Sequence, residues 1–483
     1  MTFLIKIEPS PDDTFLKDMK YDECREWLEE RRKKLGSVPG LDEVNKLLEA
    51  SGRPDKGLPI VHIAGTNGKG SIGYLLEHSL ANSKIKVGRF LSPAVVDERE
   101  IILVNGKPVP KTVWGRKLSE IIDVIEEKKL KATAFEIEFV LSLLIFKKTD
   151  CKIVILECGM GGKLDATNAI EESLIDIIAS ISIDHTAFLG DTLKEIGLHK
   201  FGIIKETSKN VVLAPQDEEV ESYFDYYVNT LCKPNKVNNT KNIKERKNNS
   251  KKLSKESNKT ISSKNLKDLH IIKSDKNAAK FKTSVKSGNI SQVLSYKNYV
   301  NLNLSLIGNH QCDNAICVLD AIEVLKSEGF KITDNAVKKA FENAVWPGRF
   351  EIIKNKDNTF ILDGAHNMDA VDRLFENINL YFTNRNLIYI IGMYKDKAFE
   401  NVIEKYASKA KAIVTVTPKD KARALEAFEL GKIIKDFNEN VTAADSYFEA
   451  LEIAKLFAEK KDVILIFGSL SFMSDFRSII NNK

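Results

Sequence analysis

Residues 59–64, Pro-Ile-Val-His-Ile-Ala, run without interruption into Gly65, Thr66, Asn67, Gly68, Lys69, Gly70 and Ser71, and 72–80 then places apolar residues at helical spacing. A buried strand, a glycine loop and a helix in that order leave few folds open, because such a loop belongs at the carboxyl end of a strand in an α/β sheet. The glycines let N–H groups curl around an anion. Lys69 brings a point charge, and Ser71 stands where a helix N-terminus favours phosphate or a metal. The spacing departs from the common phosphate-loop pattern GxxxxGK[ST], since Gly70 separates Lys69 from Ser71. A glycine turn ahead of a surface helix is the plain alternative, and the preceding apolar strand weighs against it. The loop leaves the reaction open: kinases and GTPases use phosphate loops too, and no guanine-reading NKxD element follows.

The rest of the chain repeats this grammar. Amphipathic runs at 21–34 and 41–48 preface the core, strands are expected at 85–90, 153–157, 175–183 and 211–214, and helices near 113–126, 135–146 and 219–228. A strand at 299–307 and helices at 310–326 and 333–343 follow. Short apolar strands separated by helices imply a mostly parallel sheet covered on both faces. The pattern stops at Trp346-Pro347-Gly348-Arg349, because proline cannot continue a helix. A second cycle then places strands at 360–362, 387–391, 412–416 and 463–467, with helices near 367–378, 399–406, 421–427 and 446–457. The expected architecture is α/β: a P-loop domain with a mostly parallel sheet over 1–349, a smaller Rossmann-like α/β domain over 350–483, and a cleft between them hinged near 346–350.

Charge is unevenly spread. Residues 233–290 hold 17 Lys or Arg against 4 Asp or Glu, a net of +13 in a chain that totals +5, so the body is mildly acidic. Rich in Lys, Asn and Ser and without sustained periodicity, this stretch is expected as a solvated insertion, since it cannot bury enough side chain to offset its ordering entropy. It lacks the stacking aromatics or basic helical face of specific nucleic-acid recognition. No apolar run reaches the roughly 18 residues of a membrane span, and the first ten residues lack the pattern of a signal peptide. Six cysteines without paired CxxC spacing read as reduced thiols. A cytoplasmic monomer is the expectation.

Glu157 closes the apolar run 153–156 and leads into CGMGGKLDATN, putting a carboxylate and close-approach glycines where α/β sheets bind ligands. Asp165 can brace this loop or bond a substrate. His185 ends another strand and can ligate magnesium, orient a water or cap the next helix. Lys200, among apolar neighbours, is either modified, paired or snorkelled to solvent. Asp363, His366 and Asn367 cluster around a turn in the second domain, which reads as a ligand-facing group or as a turn with a helix cap.

Taken together, LGSVPGL, HIAGTNGKGS, FLSPA, DEREIILVNG, TAFEIEF, ILECGMGGKLDATN, SIDHTAFLGDTL, GNHQCDNA, WPGRFE, DGAHN, MYKDK and GSLSF resemble, in order from about 35 to 472, the folylpolyglutamate and dihydrofolate synthases of the Mur ligase superfamily. The resemblance implies an N-terminal ATPase-type domain and a C-terminal glutamate-ligase domain. The implied reaction adds L-glutamate to folate or dihydropteroate through an acyl phosphate, with ATP and two magnesium ions. By motif, Ser92, Glu157, His185 and Lys200 match the metal ligands, with Lys200 as an N6-carboxylysine. Residues 65–71, Asn314 and Arg349 match the nucleotide contacts; Lys69, His185, Lys200, Asp363 and His366 match the catalytic group. Ala94, His199 and Met368 depart from the branch's frequent His, Glu and Pro. A related Mur-type amino-acid ligase using another acid and a catalytically weakened ATP-binding regulatory protein are the alternative functions.

Overall fold

The computed structural model describes residues 21–94, 97–231, 269–286, 289–355, 358–395 and 399–481. Its first sheet holds β1 (Ile60–Ala64), β2 (Val87–Phe90), β3 (Ile102–Val104), β4 (Lys107–Pro108), β5 (Ile153–Glu157), β6 (Ile175–Ile178), β7 (Asn210–Leu213) and β8 (His270–Lys273), in the order β4-β3-β2-β5-β1-β6-β7-β8. The pairs from β2 through β8 are parallel, and only the β2-β3-β4 edge is antiparallel. Helices cover both faces, as the run of wholly buried strands requires. Lys69–Asn82, Asn309–Ser327 and Asp334–Glu342 pack on one side and Tyr21–Leu35, Lys111–Lys128 and Ala134–Lys148 on the other.

An antiparallel sheet of β9 (Lys280–Lys286), β10 (Asn289–Tyr296) and β11 (Tyr299–Asn303) follows. The last sheet, β12 (Glu351–Lys354), β13 (Thr359–Asp363), β14 (Leu387–Ile391), β15 (Ala412–Thr415), β16 (Val441–Ala443) and β17 (Val463–Phe467), runs β12-β13-β17-β14-β15-β16 and is parallel except at β12. The mixed α/β fold with a larger N-terminal sheet and a smaller C-terminal one is therefore as expected.

Several expectations differ from the fold, among them the strand expected at 299–307, which ends at Asn303. The solvated insertion at 233–290 lies largely outside the described residues, but its end is structured. Residues 270–273 add β8 to the sheet edge, and 280–286 form β9, paired residue for residue with β10. Backbone pairing, which asks little of side chains, orders a polar stretch that lacks an apolar period. The helix expected at 421–427 forms instead at Ala427–Ile434, where Leu430 and Ile434 are buried. The strand expected at 175–183 ends at Ile178, where the chain turns toward the site.

Candidate active site

Three neighbouring strands deliver the site. Ile63 of β1 lies opposite Glu157 at the end of β5, and Ala64 lies opposite Ile178 at the end of β6. The segments 65–71, 158–168 and 179–185 therefore leave the sheet side by side, at its ligand-binding edge. Thr66 N and Asn67 N donate to Ser180 O at 2.8 and 3.2 Å, fastening the glycine loop to the β6 exit. Gly68 sits at φ 91°, and a Cβ there would lie 2.4 Å from Asn314 Oδ1, so both conformation and space demand glycine. Helix Lys69–Asn82 has no side-chain cap, and Ile72 N to Gly68 O (2.9 Å) is its first backbone bond. The N–H groups of its first turn thus suit an anion.

Lys69 Nζ donates to Gly65 O (2.8 Å) and Thr66 O (3.2 Å), and Lys200 Nζ reaches the same Gly65 O at 2.9 Å. Burial lowers the pKa of both; for Lys200, burial and the neighbouring Lys69 charge bring it down to about 7. Snorkelling is thereby ruled out for Lys200, which is buried. Its helix, Leu193–Phe201, starts from a Thr192/Glu195 capping box. The glycine-rich loop clasps the last turn: Lys163 N donates to His199 O at 2.7 Å, and a Cβ on Gly162 would meet His199 O at 2.8 Å. Asp165 braces that loop, with Oδ1 accepting Thr167 N (3.0 Å) and Thr167 Oγ1 (2.6 Å) and Oδ2 accepting Met160 N (2.8 Å).

Glu157 is buried and takes two nitrogens of Arg89 on one oxygen, Nε at 2.8 Å and Nη2 at 2.7 Å from Oε1. Arg89, itself fully buried on β2, also donates to Glu77 Oε2 (3.3 Å) and to Gly70 O (2.8 Å), and stacks 4.5 Å from the Trp346 ring. Motif reading missed Arg89. The available signal was an arginine inside the apolar strand Val-Gly-Arg-Phe, because a buried charge must find partners. Ser92 follows β2 at a cis Ser92–Pro93 peptide, one strand across from Glu157, since Phe90 pairs with Leu156.

The second sheet closes over these groups. Asp184 Oδ2 accepts Asn367 Nδ2 at 3.1 Å, with His366 Nε2 at 3.7 Å and His185 Nε2 at 3.8 Å. His366 Nδ1 bonds Gly364 O at 2.8 Å, which directs Nε2 toward the seam. Asn67 of the loop donates to Asp369 Oδ2 at 2.7 Å and to Asn367 Oδ1 at 3.4 Å. Asp184 thus gathers residues of both halves, although the sequence had singled out only its neighbour His185. His185 holds the N-cap position of Thr186–Leu189 at φ 53° without a capping bond from its side chain. Asp363 accepts Phe350 N and Ala365 N, each at 2.8 Å, and so braces the junction that follows Arg349. Burial raises its pKa, opposed by Arg349, whose own pKa burial lowers. Asn314 is fixed by Gln311 Oε1 at 3.0 Å, against the loop.

The residues present suit a nucleotide: a glycine cradle, an uncapped helix start and Lys69 converge where outer phosphates would lie. A divalent ion fits less completely. Among the described residues no three His, Cys, Asp or Glu side chains gather closely enough to hold one. The expected set has two such groups, Glu157 and His185, and its other members, Ser92 and Lys200, offer a hydroxyl and an amine that becomes an oxygen donor only if carboxylated.

A phosphate loop on a mostly parallel sheet, facing a second α/β unit across a polar seam, defines the class as a two-domain nucleotide-using enzyme. Residues 63–322 match the Mur ligase middle domain, and 348–470 match the Mur ligase, glutamate ligase domain. The chain is 29% identical to a dihydrofolate synthase/folylpolyglutamate synthase of Bacillus subtilis (strain 168), over 95% of this chain and 98% of that one. Its fold matches Mycobacterium tuberculosis folylpolyglutamate synthase complexed with ADP and AMPPCP at a TM-score of 0.78, with 22% identity over 95% of this chain and 99% of that one. A bifunctional folylpolyglutamate synthase/dihydrofolate synthase with Mn, AMPPNP and L-glutamate bound gives a TM-score of 0.74 and 21% identity, covering 96% and 100%. The chain belongs to the Mur ligase family, in its folylpolyglutamate and dihydrofolate synthase branch.

Proposed function

We propose that this enzyme joins L-glutamate to the carboxylate of folate, of dihydropteroate, or of both, consuming ATP. A carboxylate oxygen is a poor leaving group, so activation comes first. The acid's oxygen attacks the γ-phosphorus of ATP, the bond to ADP breaks, and an acyl phosphate forms. The α-amine of L-glutamate then attacks the carbonyl carbon, phosphate leaves, and the nitrogen loses its proton to give the amide. Lys69 and the loop N–H groups of 65–71 hold the transferring phosphate, with Asn314 and Arg349 against the nucleotide. Magnesium, held by Ser92, Glu157, His185 and carboxylated Lys200, would supply positive charge to the phosphoryl oxygens. His366, with Asp184 as its partner, faces the incoming amine, and Asp363 positions Arg349.

Contact of the 363–369 turn with the loop and with Asp184 supports this reading most directly, because a water-sensitive acyl phosphate needs a site closed from both sides. The working division is 1–349 for ATP and the acid and 350–483 for glutamate, in a cytoplasmic monomer. Among the described residues no helix is long and apolar enough to cross a membrane. Lys69→Ala should cut ADP release with folate-type acid and L-glutamate by about a hundredfold or more while circular dichroism stays unchanged. A fully active variant refutes the role of the loop.

A further inference from the structure

Arg89 is fully buried on β2, and its guanidinium is spent on the supports of the nucleotide site. Nε and Nη2 meet Glu157 Oε1 at 2.8 and 2.7 Å, Nη2 also donates to Gly70 O at 2.8 Å, and Nη1 reaches Glu77 Oε2 at 3.3 Å. Glu77 is as buried as the arginine, and its Oε1 accepts Gly106 N at 2.6 Å. A charge shut from solvent is costly unless its partners are in place, so these bonds hold the guanidinium in one orientation.

A further contact comes from the junction between the two halves. The Trp346 ring lies 4.5 Å from the guanidinium and meets Tyr74 of the loop helix edge-on at 4.9 Å, while Val345 N donates to Tyr74 Oη at 3.2 Å. Trp346 Nε1 is buried with no hydrogen-bond partner among the described residues, so the indole is held for its face and not for its N–H. The loop helix is bare where these groups approach. A Cβ on Gly73 would lie 2.7 Å from Glu157 Oε1 and 2.9 Å from Arg89 Nε, and one on Gly70 would lie 3.1 Å from Trp346 Cζ2. The glycine that parts Lys69 from Ser71 thus gives the indole room to reach the arginine.

We infer that Arg89 is a positioning residue that carries the seating of the domain junction to the nucleotide site. Trp346 lies on its guanidinium, and the guanidinium holds both the Glu157 carboxylate and the Gly70 carbonyl in the first turn of the loop helix. A shift of the junction that removes the indole releases the arginine, and with it the carboxylate and the helix start that face the phosphates. This rests on the function proposed above and adds to it a link by which the meeting of the two halves sets nucleotide affinity. Lysine cannot replace the arginine, because a single ammonium cannot span Glu157, Gly70 and Glu77 at once.

Calorimetric titration of the full chain with ADP and magnesium tests the link. Arg89→Lys should weaken ADP by about tenfold and Trp346→Leu by about fivefold, whereas Trp346→Phe, which keeps an aromatic face, should stay within about twofold of wild type. The double variant Arg89→Lys with Trp346→Leu should lose about tenfold and not the roughly fiftyfold of independent effects, because the indole acts through the arginine. General loosening of the fold would give neither the rescue by phenylalanine nor this lack of additivity. Should Arg89→Lys not fold, the two Trp346 variants, which leave the buried charges paired, decide alone. The link is overturned if Trp346→Leu holds ADP within about twofold of wild type, if Trp346→Phe loses as much as Trp346→Leu, or if the double variant shows the full product of the single losses. Loss of ADP by Lys69→Ala in the same titrations leaves the proposed reaction standing in each of those cases, and if Lys69→Ala keeps its affinity, that reaction itself fails.

Discussion

Lys200 shows how burial changes an ordinary side chain. With its pKa near 7, the amine is largely neutral at about pH 8, the form that attacks carbon dioxide. In 13C-bicarbonate at that pH, wild type should show a carbamate carbon signal that Lys200→Arg lacks and that acidification removes; its absence in wild type contradicts carboxylation. Asp176 on β6 is the opposite case, a carboxyl that burial raises to about 6 from 3.8 despite bonds from Ser208 and Ser173. Between those values the folded chain keeps a proton that the unfolded chain releases. Its contribution to stability is therefore present at low pH and is lost as pH rises through 6. Asp176→Asn should raise stability at neutral pH by about 2 to 3 kcal/mol and flatten the slope between about pH 4 and 6 in urea unfolding. A variant weaker than wild type at neutral pH contradicts this. Glycine-loop residues and Glu157 were legible in the sequence because motif and strand end mark them locally. Arg89 and Asp184 were not, since their partners are set by which strands become neighbours.

At the scale of elements, the strand-loop-helix unit was legible because a continuous apolar run and glycine punctuation both mark it. Gly68→Ala should lose most nucleotide affinity and cost about 1 to 2 kcal/mol of stability, because a side chain at φ 91° is strained and collides with Asn314. Nucleotide titration and thermal unfolding check both effects, and an unaffected protein would contradict the loop geometry. The hairpin β3-β4 turns at Asn105-Gly106, both at positive φ, a signature that was legible locally yet was read only as part of a longer motif. The insertion was misjudged for a physical reason: polar strands can be recruited by an existing sheet edge, which composition does not reveal. Deleting 236–284, which an unstructured insertion would tolerate, removes β8 and most of β9. We expect that deletion to lower the melting temperature; an unchanged melting curve would contradict a supporting role for these strands.

For the whole molecule, two α/β sheets and a cleft followed from the repeated strand and helix order, and the seam's chemistry came only with the fold. Asn367 illustrates this, since it caps its helix at Ala370 N (2.9 Å) and also reaches Asp184 in the other half. Helix capping is visible in a sequence and a partner 183 residues away is not. The most direct test of the account follows one oxygen atom. With folate or dihydropteroate labelled with 18O in the reacting carboxylate, incubation with ATP and L-glutamate should place one labelled oxygen in the released phosphate for each amide formed. Amide formation with unlabelled phosphate, or ADP release that ignores the acid and L-glutamate, would contradict activation of a carboxylate in this cleft.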